Sequence, residues 1–439
     1  MKVLKFGGTS LGNASKIKEV AKLVNNSDSK IVVLSAMSGT TNELVEIANK
    51  LYENNYTEAK ERIDQLEQNY LNVVDSLFTT SHYKKEGLNL ISSHFHSIKS
   101  YTKDILTVFE EKSILAHGEL ISTALFHYYL SENHIKSVLL PALNFMRTDK
   151  DGEPDLYYIK ENLNREINSY PDDTLFVTQG FISRNNFGEI DNLKRGGSDY
   201  TASLIGVAIQ ASEIQIWTDI DGMHNNDPRI IENTKPLAHI SFEEAAELAY
   251  FGAKILHPAS INPAKTANIP VRLKNTMQPE SFGTLITSRT EDKGIKAIAA
   301  KDDITVIKIK SGRMLLAYGF MRKVFEIFEI YKTSIDMITT SEVAVSITID
   351  DAKYLDDIVS ELQKYGTVEV EKNHTIICVV GDFIAESKGY AGTIFRALNS
   401  IPVRMISYGG SSHNVSILVE AAHKKEALTA LNSTLEPYV

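Results

Sequence analysis

Apolar residues recur along this chain in two rhythms. Short unbroken runs read as strands covered on both faces: Lys30 to Ala36 (KIVVLSA), Ser137 to Ala142 (SVLLPA), Thr174 to Ile182 (TLFVTQGFI), Glu213 to Ile220 (EIQIWTDI) and Pro270 to Lys274 (PVRLK). Helical stretches lie between them. From Leu115 to Leu130 the residues Leu120, Ile121, Ala124, Leu125 and Tyr128 share one face. Ser241-Phe242-Glu243-Glu244 has the form of a capping box ahead of Ala245, Ala246, Leu248 and Ala249, and Gly252 can end that helix. The alternation predicts an α/β domain over residues 1–295, with a mostly parallel central sheet sandwiched by helices. Residues from about 50 to 112 are long, polar and helix-prone, and read as a helical excursion from it.

Beyond residue 295 the rhythm changes and an internal repeat emerges. Ile304 to Lys310, a helix led by Gly319-Phe320 and carrying Val324, Phe325 and Phe328, then Ser334 to Thr339 and Val345 to Ile349 form one β-α-β-β unit. Thr375 to Val380, a helix after Gly389-Tyr390, Val403 to Ser407 and Val415 to Val419 form the second. Met-Ile-Thr at 337–339 answers Met-Ile-Ser at 405–407, and Val-Ser-Ile recurs at 345–347 and 415–417. The repeat predicts modules at 300–370 and 371–439. Each is small for an independent core, so pairing within or between chains is expected.

Composition narrows the function. A chain of 439 residues exceeds one hydrophobic core. A net charge of −10 argues against general nucleic-acid binding. No apolar stretch reaches membrane-spanning length, and no basic-then-apolar leader precedes the first strand, so no membrane partner is expected. The single cysteine, Cys378, cannot form an internal disulfide, and cytoplasm is the default compartment. No His/Cys cluster has metal-ligand spacing, so no protein metal ligands are predicted.

Neither a P-loop nor a strand-borne G-x-G-x-x-G occurs, so a nucleotide would be held in another way. Three other stretches suit phosphate. Lys5-Phe6-Gly7-Gly8-Thr9-Ser10 follows the first strand; glycines let backbone N–H groups approach an anion and Lys5 adds charge, although a solvated lysine and a plain turn read equally well. Lys194-Arg195-Gly196-Gly197-Ser198-Asp199-Tyr200 precedes a helix: its first amides are free, Arg195 could clamp a carboxylate, and Asp199 could serve only as a cap. Ser35 to Asn42 (SAMSGTTN) is a small, hydroxyl-rich loop after a strand. All three fall where open α/β sheets bind ligands. WTDIDG at 217–222, DPR at 227–229 and FGAKILHP at 251–258 add acids, Arg229 and Lys254.

Taken with HGELIST at 117–123 and QGFI at 179–182, these stretches resemble the aspartokinases of the amino-acid kinase family, in the family's order. The repeat resembles paired ferredoxin-like ACT regulatory modules, and SIDMITTSEV at 334–343 resembles the family's effector-binding stretch. The resemblance implies ATP- and Mg²⁺-dependent phosphorylation of the L-aspartate side chain to 4-phospho-L-aspartate, the first step toward lysine, threonine and methionine. It implies that Lys5 contacts the transferring phosphoryl group, with Gly7 and Gly8 supplying amides, and that Lys5 and Asp199 are catalytic. Thr41, Glu119, Arg195 and Asp199 would bind aspartate; Thr218, Asp219, His224, Arg229, Lys254 and Ile255 would join Lys5 at ATP. His224 stands where the family often has an aromatic residue. Mg²⁺ would be carried by phosphates and water. An amino-acid effector, lysine in the first instance, would bind through Met314, Gly319, Phe320, Ile335, Asp336, Ser341 and Glu342. Ala317 lacks a hydroxyl that some lysine-sensitive relatives present, which keeps threonine, alone or with lysine, as a second reading. A homodimer through the ACT modules, or a tetramer, is expected. Rival readings are a glutamate, N-acetylglutamate or UMP kinase of the same fold and a non-catalytic sensor. A fused homoserine dehydrogenase is not expected in a chain ending at Val439.

Overall fold

Strands buried on both faces belong at the centre of a parallel sheet, and β2 (Lys30–Leu34) and β4 (Leu175–Gln179), with every residue buried, lie there. The computed structural model describes residues 1–103, 106–193, 196–252, 256–289, 294–312, 318–382 and 384–435. Among these the chain divides into two compact units: Met1–Met223 with Ala238–Phe242 and Ile255–Arg289, and His224–Leu237 with Glu243–Lys254 and Thr290–Val439.

The first unit carries an eight-stranded sheet. Its strands are β1 (Lys2–Phe6), β2, β3 (Val138–Leu140), β4, β7 (Ile214–Thr218), β8 (His239–Ser241), β9 (Val271–Asn275) and β10 (Thr284–Thr287), in the order β3-β4-β2-β1-β7-β9-β10-β8. A small ribbon, β5 (Ile182–Arg184) with β6 (Ile190–Asn192), stands apart. Only the β9–β10 pair of the large sheet is antiparallel. The chain steps from β1 to β2 on one side and later adds β7 on the other, so the order reverses at β1. The register places Gln179, Leu34, Phe6, Trp217 and Lys274 level across β4, β2, β1, β7 and β9. Their following loops share the carboxyl edge, where such sheets bind ligands.

Helices α1 (Ala14–Val24), α2 (Thr40–Tyr52), α5 (Val108–Glu132), α6 (Leu156–Asn168), α7 (Gly197–Ala208) and α9 (Asn262–Thr266) join these strands. The polar excursion becomes a helical hairpin, α3 (Tyr56–Leu77) and α4 (Ser81–Ser100). One stripe of α3, Ala59, Ile63, Leu66, Tyr70, Val74 and Leu77, is buried at helical spacing while the rest faces water, which explains its polar composition.

In the second unit one six-stranded antiparallel sheet runs β12-β13-β11-β14-β16-β15. Its strands are β11 (Gly294–Lys310), β12 (Ile338–Thr340), β13 (Ala344–Ile349), β14 (Thr367–Asp382), β15 (Val403–Tyr408) and β16 (Asn414–Glu420). Helices α10 (Phe320–Ile330) and α11 (Leu355–Gln363) cover one half, and α12 (Tyr390–Ala397) and α13 (Lys424–Asn432) the other. The two halves are interleaved: the first stretch of β11 pairs with the last of β14, and the last of β11 with the first of β14. Gly294–Lys301 thus completes the half built from the C-terminal repeat. The ladder shifts register between Lys301 and Ile304, where Asp303 takes a φ of +60°.

Helix α8 (Phe242–Tyr250) contributes all but its first residue to this unit. Glu244, read from sequence as the far end of a capping box, is fully buried and lies 3.0 Å from Lys296 of β11. Asn414 of β16 donates to Glu247. Gly252 follows at φ +144°, and a Cβ there would lie 2.4 Å from the Ala300 carbonyl oxygen.

Close packing at the sheet's carboxyl edge yields a direct test. Gly180 donates its N–H to Leu34 O at 2.9 Å, and a Cβ on it would stand 2.3 Å from the Ser198 side chain and 2.8 Å from its Cα. Gly180→Ala is therefore expected to destabilise the protein by about 1–3 kcal/mol, the usual cost of overpacking. Thermal unfolding at the parent temperature would contradict this packing.

Candidate active site

Lys5 is the next-to-last residue of β1, and its ammonium leaves the carboxyl edge toward the first turn of α7. There Nζ stands 2.8 Å from Asp199 Oδ1, with both side chains largely buried. Oδ1 receives this charge without an aligned hydrogen bond. The turn that delivers Asp199 depends on its glycines. Gly196 and Gly197 have φ of +65° and +48°, and a Cβ on Gly196 would lie 2.4 Å from Ser260 Cβ. Asp199 thus sits in the first turn of α7, where the helix dipole favours an acid.

The glycines after β1 have different parts. Gly7 donates its own N–H to Trp217 O at 3.3 Å, so that amide ties β1 to β7 and is not free for a phosphate. Its contribution at the site is an absent side chain: a Cβ would press to 3.3 Å from Lys5 Nζ. At Gly8 a Cβ would approach Ala36 O at 3.0 Å, so the loops after β1 and β2 pack backbone to backbone. The buried hydroxyls of Ser10 and Thr276, 2.7 Å apart, join the β1 loop to the one after β9.

Glu119 approaches from the middle of α5 and is buried. Its Oε1 accepts the Ala36 N–H at 3.1 Å, and Oε2 is buried without a partner among the described residues. Burial pushes the carboxyl up to about 8, while the Ala36 N–H and the Lys5 ammonium pull in the opposite direction. An acid balanced this close to neutrality, with one oxygen open, suits a ligand that brings an ammonium group. Ala36 lies in the loop to α2, where Thr40 meets the Tyr70 hydroxyl at 3.0 Å and Thr41 occupies the first turn.

Thr218 ends β7, beside β1, and its hydroxyl donates to the exposed Asp219 at 3.1 Å. Lys5, Gly7, Gly8, Glu119, Asp199, Thr218 and Asp219 therefore share one sheet edge, with Thr41 on the adjoining loop. Arg195, Lys254 and Ile255 lie outside the described residues. A cavity of about 770 Å³ opens beside this edge, lined by Met37 to Thr40 and by Arg62, Gln65 and Tyr70 of α3; neither Lys5 nor Asp199 lines it.

Residues 1–275 match the family model described as the amino acid kinase family, and residues 377–435 match an ACT domain. "Lysine-sensitive aspartokinase 3" of Escherichia coli (strain K12) is 34% identical over 457 residues, covering 99% of this chain and 98% of the relative. The chain belongs to the aspartokinases. It is accordingly a phosphotransferase of the amino acid kinase family. The crystal structure of E. coli aspartokinase III in complex with lysine and aspartate (T-state) superposes with a TM-score of 0.86 at 33% identity over 99% of each chain. The same enzyme in complex with aspartate and ADP (R-state) gives a TM-score of 0.83, again at 33% identity over 99% of each chain.

In the second unit, His224 Nδ1 lies 2.9 Å from the Thr234 hydroxyl. Arg229 is exposed and clasps Asp227 two residues earlier, at 2.7 and 2.9 Å. Gly319 caps α10 with φ +83°, Phe320 is buried at its start, and Ile335 and Asp336 precede β12. Ser341 and Glu342 occupy the exposed turn between β12 and β13. Met314 lies outside the described residues. No group of three or more His, Cys, Asp or Glu among the described residues could hold a metal ion. No described helix is long and apolar enough to cross a membrane.

Several residues that build the first unit's site carry no sequence signal of their own. Tyr70 belongs to a polar helix distant in the chain. Gln179 stands inside QGFI, yet its function emerges only in three dimensions: its amide donates to Thr123 and accepts from the Ala142 N–H, each at 2.8 Å. His117, inside HGELIST, has Nδ1 2.7 Å from Nδ1 of His94. Burial and the neighbouring ring lower it to about 3, so a neutral pair fastens α4 to α5.

The Glu119 environment has a measurable consequence for stability. A carboxyl raised to about 8 in the folded state favours folding below its ordinary pKa near 4.5, and that contribution is lost as pH rises through about 8. Stability of the parent relative to Glu119→Gln is therefore expected to fall between about pH 4.5 and about pH 8, as read by denaturant titration across that window. Parallel profiles for the two proteins would contradict the burial argument.

Proposed function

We propose that the chain transfers the γ-phosphoryl group of ATP to the side-chain carboxylate of L-aspartate, giving 4-phospho-L-aspartate. The observation that carries this reading is the Lys5–Asp199 pair, 2.8 Å apart at the sheet edge with Glu119 nearby. The acceptor carboxylate is already an anion, so no general base has to activate it. The difficulty is to bring two anions together and to stabilise charge as it moves between phosphoryl oxygens. Lys5 supplies a fixed positive charge for that step, and Asp199 fixes its direction. Glu119, with its free Oε2, takes the aspartate ammonium, Arg195 its α-carboxylate, and Thr41 the adjoining polar edge.

The nucleotide lies against Thr218 and Asp219, with Lys5 and Gly8 at its phosphates, Gly7 leaving room beside Lys5 by its missing side chain, and His224, Arg229, Lys254 and Ile255 completing its contacts. The oxygen-rich edge at Thr218 and Asp219 suits Mg²⁺, which prefers oxygen donors and keeps part of its water shell. When bound with the nucleotide, Mg²⁺ neutralises phosphate charge. The catalytic domain spans 1–295 and the regulatory modules 300–370 and 371–439. The first module binds lysine through Met314, Gly319, Phe320, Ile335, Asp336, Ser341 and Glu342. The assembly is a homodimer through the ACT modules, or a tetramer built from it, in the cytoplasm.

A hydroxamate assay with ATP and L-aspartate, repeated with lysine and with threonine, tests the activity and its control together. Product is expected with aspartate, and lysine is expected to suppress it. Lys5→Ala is expected to lower kcat by roughly 10²-fold or more, the range for losing one preorganised charge contact. A near-parental rate in that variant would overturn the assignment of Lys5.

A further inference from the structure

Asp336 is an enclosed carboxylate just ahead of β12 in the second unit. Its side chain is fully buried, and its backbone is pinned just ahead of β12: the N–H donates to Thr348 O at 2.9 Å, and the next N–H, of Met337, donates to the Thr348 hydroxyl at 2.8 Å. One carboxylate oxygen is crowded. Lys301 Nζ lies 2.6 Å from Oδ1, and the Tyr250 hydroxyl donates to the same atom at 3.0 Å. Lys301 also reaches Asp350 Oδ2 at 2.8 Å, and its ammonium lies 4.5 Å from the centre of the Tyr250 ring. The other oxygen, Oδ2, is buried and has no partner among the described residues. A buried acceptor left open costs free energy, and such atoms call for a partner that arrives from outside.

Resting on the reading that Asp336 takes the effector, we infer that Lys301 and Tyr250 are its positioning residues: they hold Asp336 through Oδ1 and present Oδ2 to the ammonium group of a free amino acid. Lys301 stands where β11 shifts register between the two halves of the sheet, so its side chain is aimed by a bulge and not by regular pairing. Burial pushes the Asp336 carboxyl up, as does Asp350, while Lys301 and the Tyr250 hydroxyl hold it down. These three, from β11, the turn after β13 and α8, are the titratable groups that face it among the described residues. Burial also opposes the Lys301 charge, but the two aspartates outweigh it and raise its pKa. Without Lys301 the buried acid holds a proton more readily, which weakens its attraction for an ammonium group. Tyr250 ends α8, so the same hydroxyl connects Asp336 to that helix.

The test uses the full chain, with L-lysine binding followed by calorimetry and inhibition followed in the kinase assay. Asp336→Asn is expected to abolish lysine binding. Lys301→Met is expected to retain basal activity and to weaken lysine binding roughly tenfold or more near pH 7, the scale of one lost charge-assisted contact. Binding by that variant should recover as pH rises and Asp336 ionises, a signature that a merely structural lesion does not produce. Lys301→Arg should restore parental binding. Tyr250→Phe keeps the ring against Lys301 and removes only the hydroxyl, so it tests the same link should Lys301→Met fold poorly; weaker lysine binding is expected. Parental or tighter binding in both Lys301→Met and Tyr250→Phe, with Asp336→Asn inactive toward lysine, overturns the inference alone. Binding to Asp336→Asn equal to the parent's, or no lysine binding by the parent, overturns the effector reading and the inference with it.

Discussion

A phosphoryl group and a carboxylate repel each other, and the protein must hold positive charge where they meet without letting water dissipate it. In the proposed site that charge comes from Lys5, near the end of a central strand. Lys5 is largely buried, faces Asp199 at 2.8 Å and lowers the cost of a buried Glu119. A buried ion pair is stable only where geometry is fixed. The first unit fixes it from several directions: the Gly7 N–H on Trp217 O, the backbone contact at Gly8, the left-handed turn at Gly196-Gly197, and the Ala36 N–H on Glu119. The glycines therefore act mainly by omission. Gly7, Gly8 and Gly196 each remove a Cβ from a place where two loops or a loop and a side chain must meet, and Gly197 supplies a positive φ.

Much of this arrangement was legible in the residues. Fully buried strands announce themselves as unbroken apolar runs, and β2 and β4 emerged where KIVVLSA and TLFVTQGFI stand. The hydroxyl-rich and glycine-rich loops also fell at the carboxyl edge, because a parallel α/β sheet leaves few other places for them. Gly7 marks the limit of such reading. A glycine pair beside a lysine looks like a phosphate cradle, but whether an amide is free depends on its neighbour in the sheet, and β7 lies more than 200 residues away. Tyr70 and the Ser10–Thr276 pair were invisible for the same reason. The Ser241–Glu244 motif marked the start of α8, but that Glu244 would also be buried against Lys296 depended on a strand residue 52 positions further on.

The regulatory unit shows how a sequence repeat can conceal interleaving. Two tandem copies were readable, but the half built from the C-terminal copy takes a strand segment, Gly294–Lys301, from ahead of the first copy through the long strand β11. A strand that runs through both halves couples them mechanically more than two separate modules would be coupled. Helix α8 joins the same unit through Glu244, Glu247 and Tyr250. Asp336, the residue proposed to take the effector, is thereby joined to a helix that leads in sequence to FGAKILHP. This gives control a physical basis in polar contacts that a bound cation can alter.

The central claim is that Lys5 and Asp199 act as one unit during transfer. A double-mutant cycle on kcat, with Lys5→Met, Asp199→Asn and the combined variant, measures that directly. The account predicts strong non-additivity, with the double variant little slower than the slower single one. Losses that simply multiply would show two independent residues and contradict it.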